Sequence, residues 1–181
     1  MQENDPLDDA WVAVHTRVYY EKKAAEQLYL NGYECFLPLR SKKVHVTAPD
    51  LENDREQSLV PLFPGYLFCR YKPQRTFHIN RASGVIKIVG IRGIPEVIPD
   101  IEMDSIKMIV ASGLSTTIPC QYLKVGLKVR VCSGPFNGVE GYLVAVNKNR
   151  CKIASGISAI GKAIVIHLVD TDICILPTGI K

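Results

Sequence analysis

The stretch Lys152–Val169 reads KIASGISAIGKAIVIHLV, and inside it Gly156 to Lys162 spells G-x-x-x-x-G-K. Its reading decides the fold of the C-terminal third. A phosphate loop needs a strand before it and a helix after it, so that backbone N–H groups and the helix dipole face the phosphates. It also needs a Ser or Thr after the lysine to hold magnesium, and Ala163 stands there. The residues that follow, AIVIHLV, are β-branched and strand-like. Only 19 residues remain after Lys162, too few for a nucleotide-binding sheet. The segment reads as a turn between strands, which leaves an NTP-binding enzyme without its loop.

Working outward, the C-terminal region is β throughout. LKVRV, GYLVAV, CKIA, AIVIHLV and DICIL are short apolar or alternating runs, separated by SGPFNGVE, NKNR and SGISAIG. Five short strands at this spacing predict a small closed β-barrel over 125–181. The glycines of GPFNGVEG suit a hairpin and not a phosphate cradle, because YLVAV after them is again a strand.

Upstream the pattern changes. WVAVHT (Trp11–Thr16) reads as a strand. YYEKKAAEQLYLNGY follows with Tyr20, Ala24 and Leu28 at helical spacing, and Asn31-Gly32 stops it. ECFLPL is a second strand, and residues 41–60 read as a protruding hairpin with a polar tip. PLFPGYLFCRY supplies a turn and a strand, QRTFHINRASGV a short helix, and IKIVGI another strand. PDIEMDSIKMIVASG is the clearest helix, with Asp100 as its cap and Met103, Ile106, Ile109 and Val110 as its buried stripe. Strands and helices mixed in this order predict an α+β domain over 11–111, a mostly antiparallel sheet with helices against it. Residues 1–10 form an acidic disordered tail. Residues 112–124, aperiodic and holding Pro119, read as a linker to the barrel domain at 125–181.

Composition narrows the function. No stretch approaches the ~20 apolar residues of a membrane span, and the acidic N-terminus lacks the apolar core of a secretory signal. A cytoplasmic protein is expected. The six cysteines lack the spacing of paired zinc ligands, and reduced, mostly buried thiols are the expectation. The four histidines are scattered. No catalytic constellation, metal site or cofactor motif is present, and the chain is not expected to be an enzyme. Residues 11–121 carry 14 Lys and Arg against 11 Asp and Glu, and residues 122–181 carry 8 against 3. Two mildly basic bodies behind an acidic tail suit contact with nucleic acid or a ribonucleoprotein.

Two features are more specific. Val125–Arg150, VGLKVRVCSGPFNGVEGYLVAVNKNR, resembles the KOW motif: a strand, a G-P-F-x-G turn, a glycine in the next strand and a basic turn. LFPGYLF (Leu62–Phe68) follows a W-x-x-x-x-T strand and a helix. Together, in this order, they are similar to the NusG family of transcription elongation factors, over nearly the whole chain from Trp11 to about Leu176. NGYECFLPL, SLVPLFPGYLF and INRASGV are similar to specialised, RfaH-like and UpxY-like paralogues. Those act as antiterminators for long operons, often ones making surface polysaccharides.

The resemblance implies an NGN-type N-terminal domain and an SH3-like KOW barrel. The first docks on the clamp helices of RNA polymerase, bridges the DNA cleft and reduces pausing, with the chemistry left to the polymerase. Carried over by motif, the clamp-binding positions are His15, Phe63, Tyr66, Phe68 and Ile91. His15 stands where RfaH has Tyr, and Ile91 where it has Phe. Strand alternation alone leaves open whether Tyr66 and Phe68 form an interface or a core. A gate-loop contact maps to Arg75 and Thr76, with a plain solvated Arg75 as the alternative. Contact with the non-template DNA strand maps to Arg17, Lys22, Lys23, Gln27 and Arg81, although Lys22 and Lys23 equally suit a solvated helix face. Phe136 and Asn137 are candidates for a partner of the KOW domain, in this family a ribosomal protein or Rho, unless Phe136 has a packing role. The C-terminal region is expected to be stably β, without the helical state that RfaH stores. The competing reading is a KOW-containing RNA-binding or ribosome-associated protein, against which the FPGY domain stands.

Overall fold

The computed structural model describes residues 7–43, 57–112, 116–119, 126, 128–147, 150–169 and 173–175. In chain order these form β1 (Trp11–Thr16), α1 (Glu21–Leu30), β2 (Cys35–Phe36), β3 (Leu39–Lys43), β4 (Gln57–Pro61), β5 (Tyr66–Arg70), α2 (Thr76–Arg81) and β6 (Val85–Ile88). Then come β7 (Gly90–Ile91), β8 (Ile94–Pro95), β9 (Val97–Ile98), α3 (Asp100–Ser112) and β10 (Thr116–Pro119). The chain continues with β11 (Lys128–Val131), β12 (Glu140–Asn147), β13 (Arg150–Ile157), β14 (Lys162–Val169) and β15 (Ile173–Ile175).

The first sheet runs β2-β5-β1-β6, with β9 also paired to β1, and every pairing is antiparallel. β1 is the central strand. Its four leading residues, Trp11 to Val14, are apolar and all buried, as expected of a strand covered on both faces. Val12, Val14, Leu67 and Cys69 pack with Ala24 and Leu28 of α1, Tyr33, and Ile79 of α2. Ala13 and Phe68 join the opposite layer, with Phe63 and the α3 residues Met103, Ile106 and Ile109. Of the predicted α1 stripe Ala24 and Leu28 are buried, while Tyr20, just ahead of the helix, is exposed; the α3 stripe is buried, with Val110 packed at the margin. Asp100 opens α3, and its carboxylate is paired with Arg70 at 2.9 Å. β3 and β4 pair as the expected hairpin, whose predicted tip lies outside the described residues, as do residues 1–6 of the tail expected over 1–10. Residues 7–10 are described, and the Asp9 N–H donates to the Tyr71 carbonyl oxygen at 2.8 Å.

The second sheet is antiparallel and orders β10-β14-β13-β12-β11-β15. It has six strands where five were expected, and the described pairings run from one edge to the other without closing. The extra strand comes from the stretch expected to be a linker. Thr116, Thr117 and Ile118 are β-branched and lie along β14, and Pro119 ends the strand. The G-x-x-x-x-G-K stretch is the β13–β14 connection, as read from the sequence. Gly161 adopts φ +61, and a Cβ on Gly156 would sit 2.4 Å from the Lys162 carbonyl oxygen. One glycine supplies the turn and the other the close approach of two strands. Cys132 departs from the expectation of reduced, buried thiols: it follows β11, is exposed and is disulfide-bonded.

The two sheets share one core. Val129, Val131, Phe136, Val139, Ile153, Ile157, Ile164 and Ile166 belong to the same buried cluster as α3 and the β1–β5 layer. Polar groups fasten its rim. Glu102 Oε2 accepts hydrogen bonds from the Ser158 N–H (3.0 Å) and hydroxyl (3.1 Å). The Glu140 N–H donates to Ser105 Oγ at 3.2 Å. The Glu140 carboxylate is held by Arg130 (3.0 Å from Nε) and Lys128 (3.1 Å).

Two outcomes follow from this packing. Ile106→Ala empties a fully buried site and is expected to lower unfolding free energy by ~2–5 kcal/mol in urea titrations. The hydrogen bond from Arg130, aided by Lys128, holds the Glu140 carboxyl below its usual range despite opposing desolvation. A depressed carboxyl adds stability above its unfolded-state pKa, and that stability is lost as pH falls through the folded value. Acid unfolding of the Glu140→Gln variant should lack this component, as read by the pH dependence of its urea midpoint.

Candidate functional site

The register of β1 against β5 places His15 opposite Tyr66 and Ala13 opposite Phe68. The rings of His15 and Tyr66 stack at 5.0 Å with 18° between their planes. Phe63 meets Phe68 edge-on at 6.0 Å. Four of the five positions assigned to clamp binding are thus contiguous. They divide by depth: Phe63 and Phe68 are fully buried, while His15 and Tyr66 are half-buried. Among the described residues no ring stack or strand pairing joins them to Ile91. It is 73% exposed on the β7–β8 hairpin, which turns through Arg92 and Gly93 at positive φ. That hairpin borders a cavity of about 400 Å3 shared with Tyr71, Thr76 and Asn80, on the α2 side of the sheet.

The FPGY turn that sets this face is held by a residue outside the sequence reading. Glu21, only 2% exposed, accepts a hydrogen bond from the Gly65 N–H at 2.7 Å. The Gly65 carbonyl receives the Thr16 N–H at 2.8 Å, and Gly65 itself has φ +80. A glutamate in the first turn of a helix reads as a dipole partner. Nothing in its own neighbourhood of sequence signals a contact 44 residues away.

The outer side of Tyr66 is covered by the second sheet. Lys162 Nζ lies 4.5 Å from the Tyr66 ring centroid and 3.4 Å from the Pro64 carbonyl oxygen. Burial pushes the Lys162 ammonium pKa down from its usual value, while the ring face favours the cation. Phe136 is buried at 4% exposure, in the cluster that α3 shares with the second sheet, and Asn137 beside it is exposed. The packing role is the one seen for Phe136.

Arg75 and Thr76 are both engaged within the domain. Arg75 donates from Nη2 to the Asn31 carbonyl oxygen at 2.7 Å and lies over the Tyr33 ring. Thr76 Oγ1 donates to the Pro73 carbonyl oxygen at 2.8 Å and is hydrogen-bonded with the Tyr71 hydroxyl at 2.6 Å.

The residues assigned to DNA fall into two places. Gln27 and Arg81 line one cavity of about 260 Å3 with Leu30, Asn31, His78 and Ala82. Gln27 Oε1 already accepts the Ser83 N–H at 2.6 Å, and Arg81 lies over Phe77 at 4.7 Å. Lys22 lines a separate groove of about 410 Å3 with Val18, Tyr19, Arg40 and Leu59. Arg17 and Lys23 are exposed. Tyr19 is 94% exposed at φ +72, a conformation costing most non-glycine residues energy, and no sequence signal marked it.

Residues 9–107 match the family model described as transcription termination factor nusG. The chain belongs to the NusG family. It is 28% identical over 179 residues to the transcription termination/antitermination protein NusG of Thermus thermophilus, covering 87% of this chain and 94% of that one. A solved structure of Thermotoga maritima NusG, described by its domain interaction, superposes with a TM-score of 0.52 at 20% identity. It covers 93% of this chain and 97% of its own. The mixed α/β architecture with antiparallel sheets is that of the NusG fold, and the family places this chain among transcription termination and antitermination factors. Among the described residues no helix is long and apolar enough to cross a membrane.

Glu21→Ala would leave the buried Gly65 N–H without an acceptor. The expected loss is ~1–3 kcal/mol of stability, with the His15–Tyr66 stack loosened. Urea unfolding measures the first, and Tyr66 ring shifts in NMR spectra measure the second.

Proposed function

We propose that this protein is a non-enzymatic elongation and antitermination factor that docks on the clamp of RNA polymerase through the His15–Tyr66 face. The second sheet covers that face and must be displaced for docking. The observation that carries the reading is the contact of Lys162 with Tyr66 and Pro64: the half-buried aromatic suited to a partner is held under a cation of the chain's other half. Aromatic residues carry much of the energy of protein interfaces. Phe136 is covered in the same arrangement, so release would bare Phe136 beside the already exposed Asn137 for the partner of a KOW barrel, a ribosomal protein or Rho. The factor needs only differential affinity for the transcribing polymerase, which asks for no catalytic group.

In the docked state Arg75 and Thr76 would approach the gate loop. Arg17, Lys22, Lys23 and the cavity of Gln27 and Arg81 would meet the non-template strand, where Lys and Arg give salt-sensitive affinity. The similarity of INRASGV and SLVPLFPGYLF to specialised paralogues supports action on a long operon in the cytoplasm, of the surface-polysaccharide kind.

Capture by core RNA polymerase tests this reading. Phe63 and Phe68 are core residues, so the informative variants are Tyr66→Ala and Lys162→Glu. Tyr66→Ala should weaken capture. Lys162→Glu removes a cation–π contact of ~0.5–2 kcal/mol and should tighten capture by about 2- to 30-fold. Absence of wild-type capture would refute the reading, and so would a Lys162→Glu variant that binds no better than wild type.

A further inference from the structure

The face of β5 opposite to Tyr66 carries a second arrangement, Cys69 directly across from Cys35 of β2. Both are free thiols. The ladder fixes which kind of pair they form. The Arg70 N–H donates to the Glu34 carbonyl oxygen at 2.9 Å, so Glu34 and Arg70 are a hydrogen-bonded pair. Antiparallel pairs alternate, which makes Cys35 and Cys69 a non-hydrogen-bonded pair with a Cα separation of ~4.5 Å and side chains on one face. That lies inside the ~4.4–6.8 Å window of disulfides. The two thiols lie in the layer of Leu28, Tyr33, Leu67 and Tyr71. Cys69 is fully buried, whereas Cys35, on a two-residue edge strand, is half-buried.

We propose that Cys35 and Cys69 are a redox modification site, closed to a cross-strand disulfide by low-molecular-weight disulfides of the glutathione type. The reaction has two balanced exchanges. Cys35 loses its proton, and its sulfur attacks the small disulfide, forming a mixed disulfide as one small thiolate leaves and takes up a proton. Cys69 then loses its proton and attacks the Cys35 sulfur, expelling the second small thiol. The protein gives up two electrons and two protons, and one small disulfide becomes two thiols. Order is set by access: of the two, Cys35 is the one that solvent reaches, and Cys69, its cross-strand neighbour, stands beside it to resolve it.

The surroundings keep the pair reduced under mild conditions. Burial, with the Glu34 carboxylate beside it, pushes the Cys35 thiol up to about 11. Burial raises Cys69 further, with Cys35 itself contributing. Tyr33 lies beside the pair, with Tyr71 in the same buried layer, and Arg75 is the cation over the Tyr33 ring. Exchange proceeds through the thiolate, so closure is slow near neutrality and faster in alkaline buffer. Once formed, the bond ties the edge strand β2 to the strand that carries Tyr66 and Phe68.

The test uses the folded, full-length chain with excess oxidised glutathione in mildly alkaline buffer. Acid quenching and non-reducing peptide mapping follow. The expected product is a Cys35–Cys69 linked peptide that dithiothreitol reverses. Cys69→Ala should instead accumulate a glutathione adduct on Cys35, and Cys35→Ala should leave Cys69 unmodified while folded. The proposal is overturned if the folded wild type keeps both thiols and links them only in denaturant. It is equally overturned if Cys69→Ala gathers no more adduct than wild type. The wild-type comparison decides even where a variant folds poorly.

Discussion

Helix α3 is buried on two sides, and the rest of the molecule is arranged around that constraint. Met103, Ile106 and Ile109 have no exposed surface, and they belong to a cluster that holds both the β1–β5 layer and the second sheet. Burying a large aliphatic side chain contributes ~1.5–3 kcal/mol, so each half draws stability from a helix it shares. The two sheets therefore share the core on the α3 side, while the layer beneath α1 and α2 belongs to the first sheet alone. Glu102 and Ser105, on the same helix, supply the polar contacts to Ser158 and Glu140 at the rim of the shared core.

The alternation of β5 gives its two faces different chemistry. Tyr66 and Phe68 point toward α3 and the second sheet, while Leu67 and Cys69 point toward α1 and α2. One strand thus supports an aromatic face and, behind it, a buried thiol pair. The turn leading into this strand is pinned by Glu21 from α1, so the position of Tyr66 depends on a carboxylate from the helical side. A change in either layer reaches the other through a strand that both share.

Much of this was legible in the sequence, for reasons of period. β1 and α3 follow apolar spacing that matches their burial, as do Ala24 and Leu28 of α1. The β3–β4 hairpin was read from β-prone pieces around a polar stretch, and the β-branched run after Lys162 identified β14. Of the five positions carried over by motif, His15, Phe63, Tyr66 and Phe68 lie in two ring pairs on the β1–β5 ladder and the turn before it. What was missed depends on partners distant in sequence. Glu21 contacts Gly65, Gln27 contacts Ser83 56 residues away, and Phe136 is covered by packing that begins at α3. β10 looks like a linker because an edge strand of four residues carries no internal period. Ile91 was carried over from a relative's phenylalanine, and it stands exposed on the two-residue strand of the β7–β8 hairpin.

β10 also governs reach. α3 ends at Ser112 and β10 begins at Thr116, so only the three residues 113–115 lie between the shared helix and the second sheet. At ~3.4 Å per residue that is a leash of ~10 Å. With β10 unzipped from β14, the leash would extend to Lys128, where β11 begins, and its 15 residues would span up to ~50 Å. A four-residue edge strand is thereby a store of slack. Were the two halves to separate as proposed, its pairing energy would set how far one could travel from the other before the chain itself must yield.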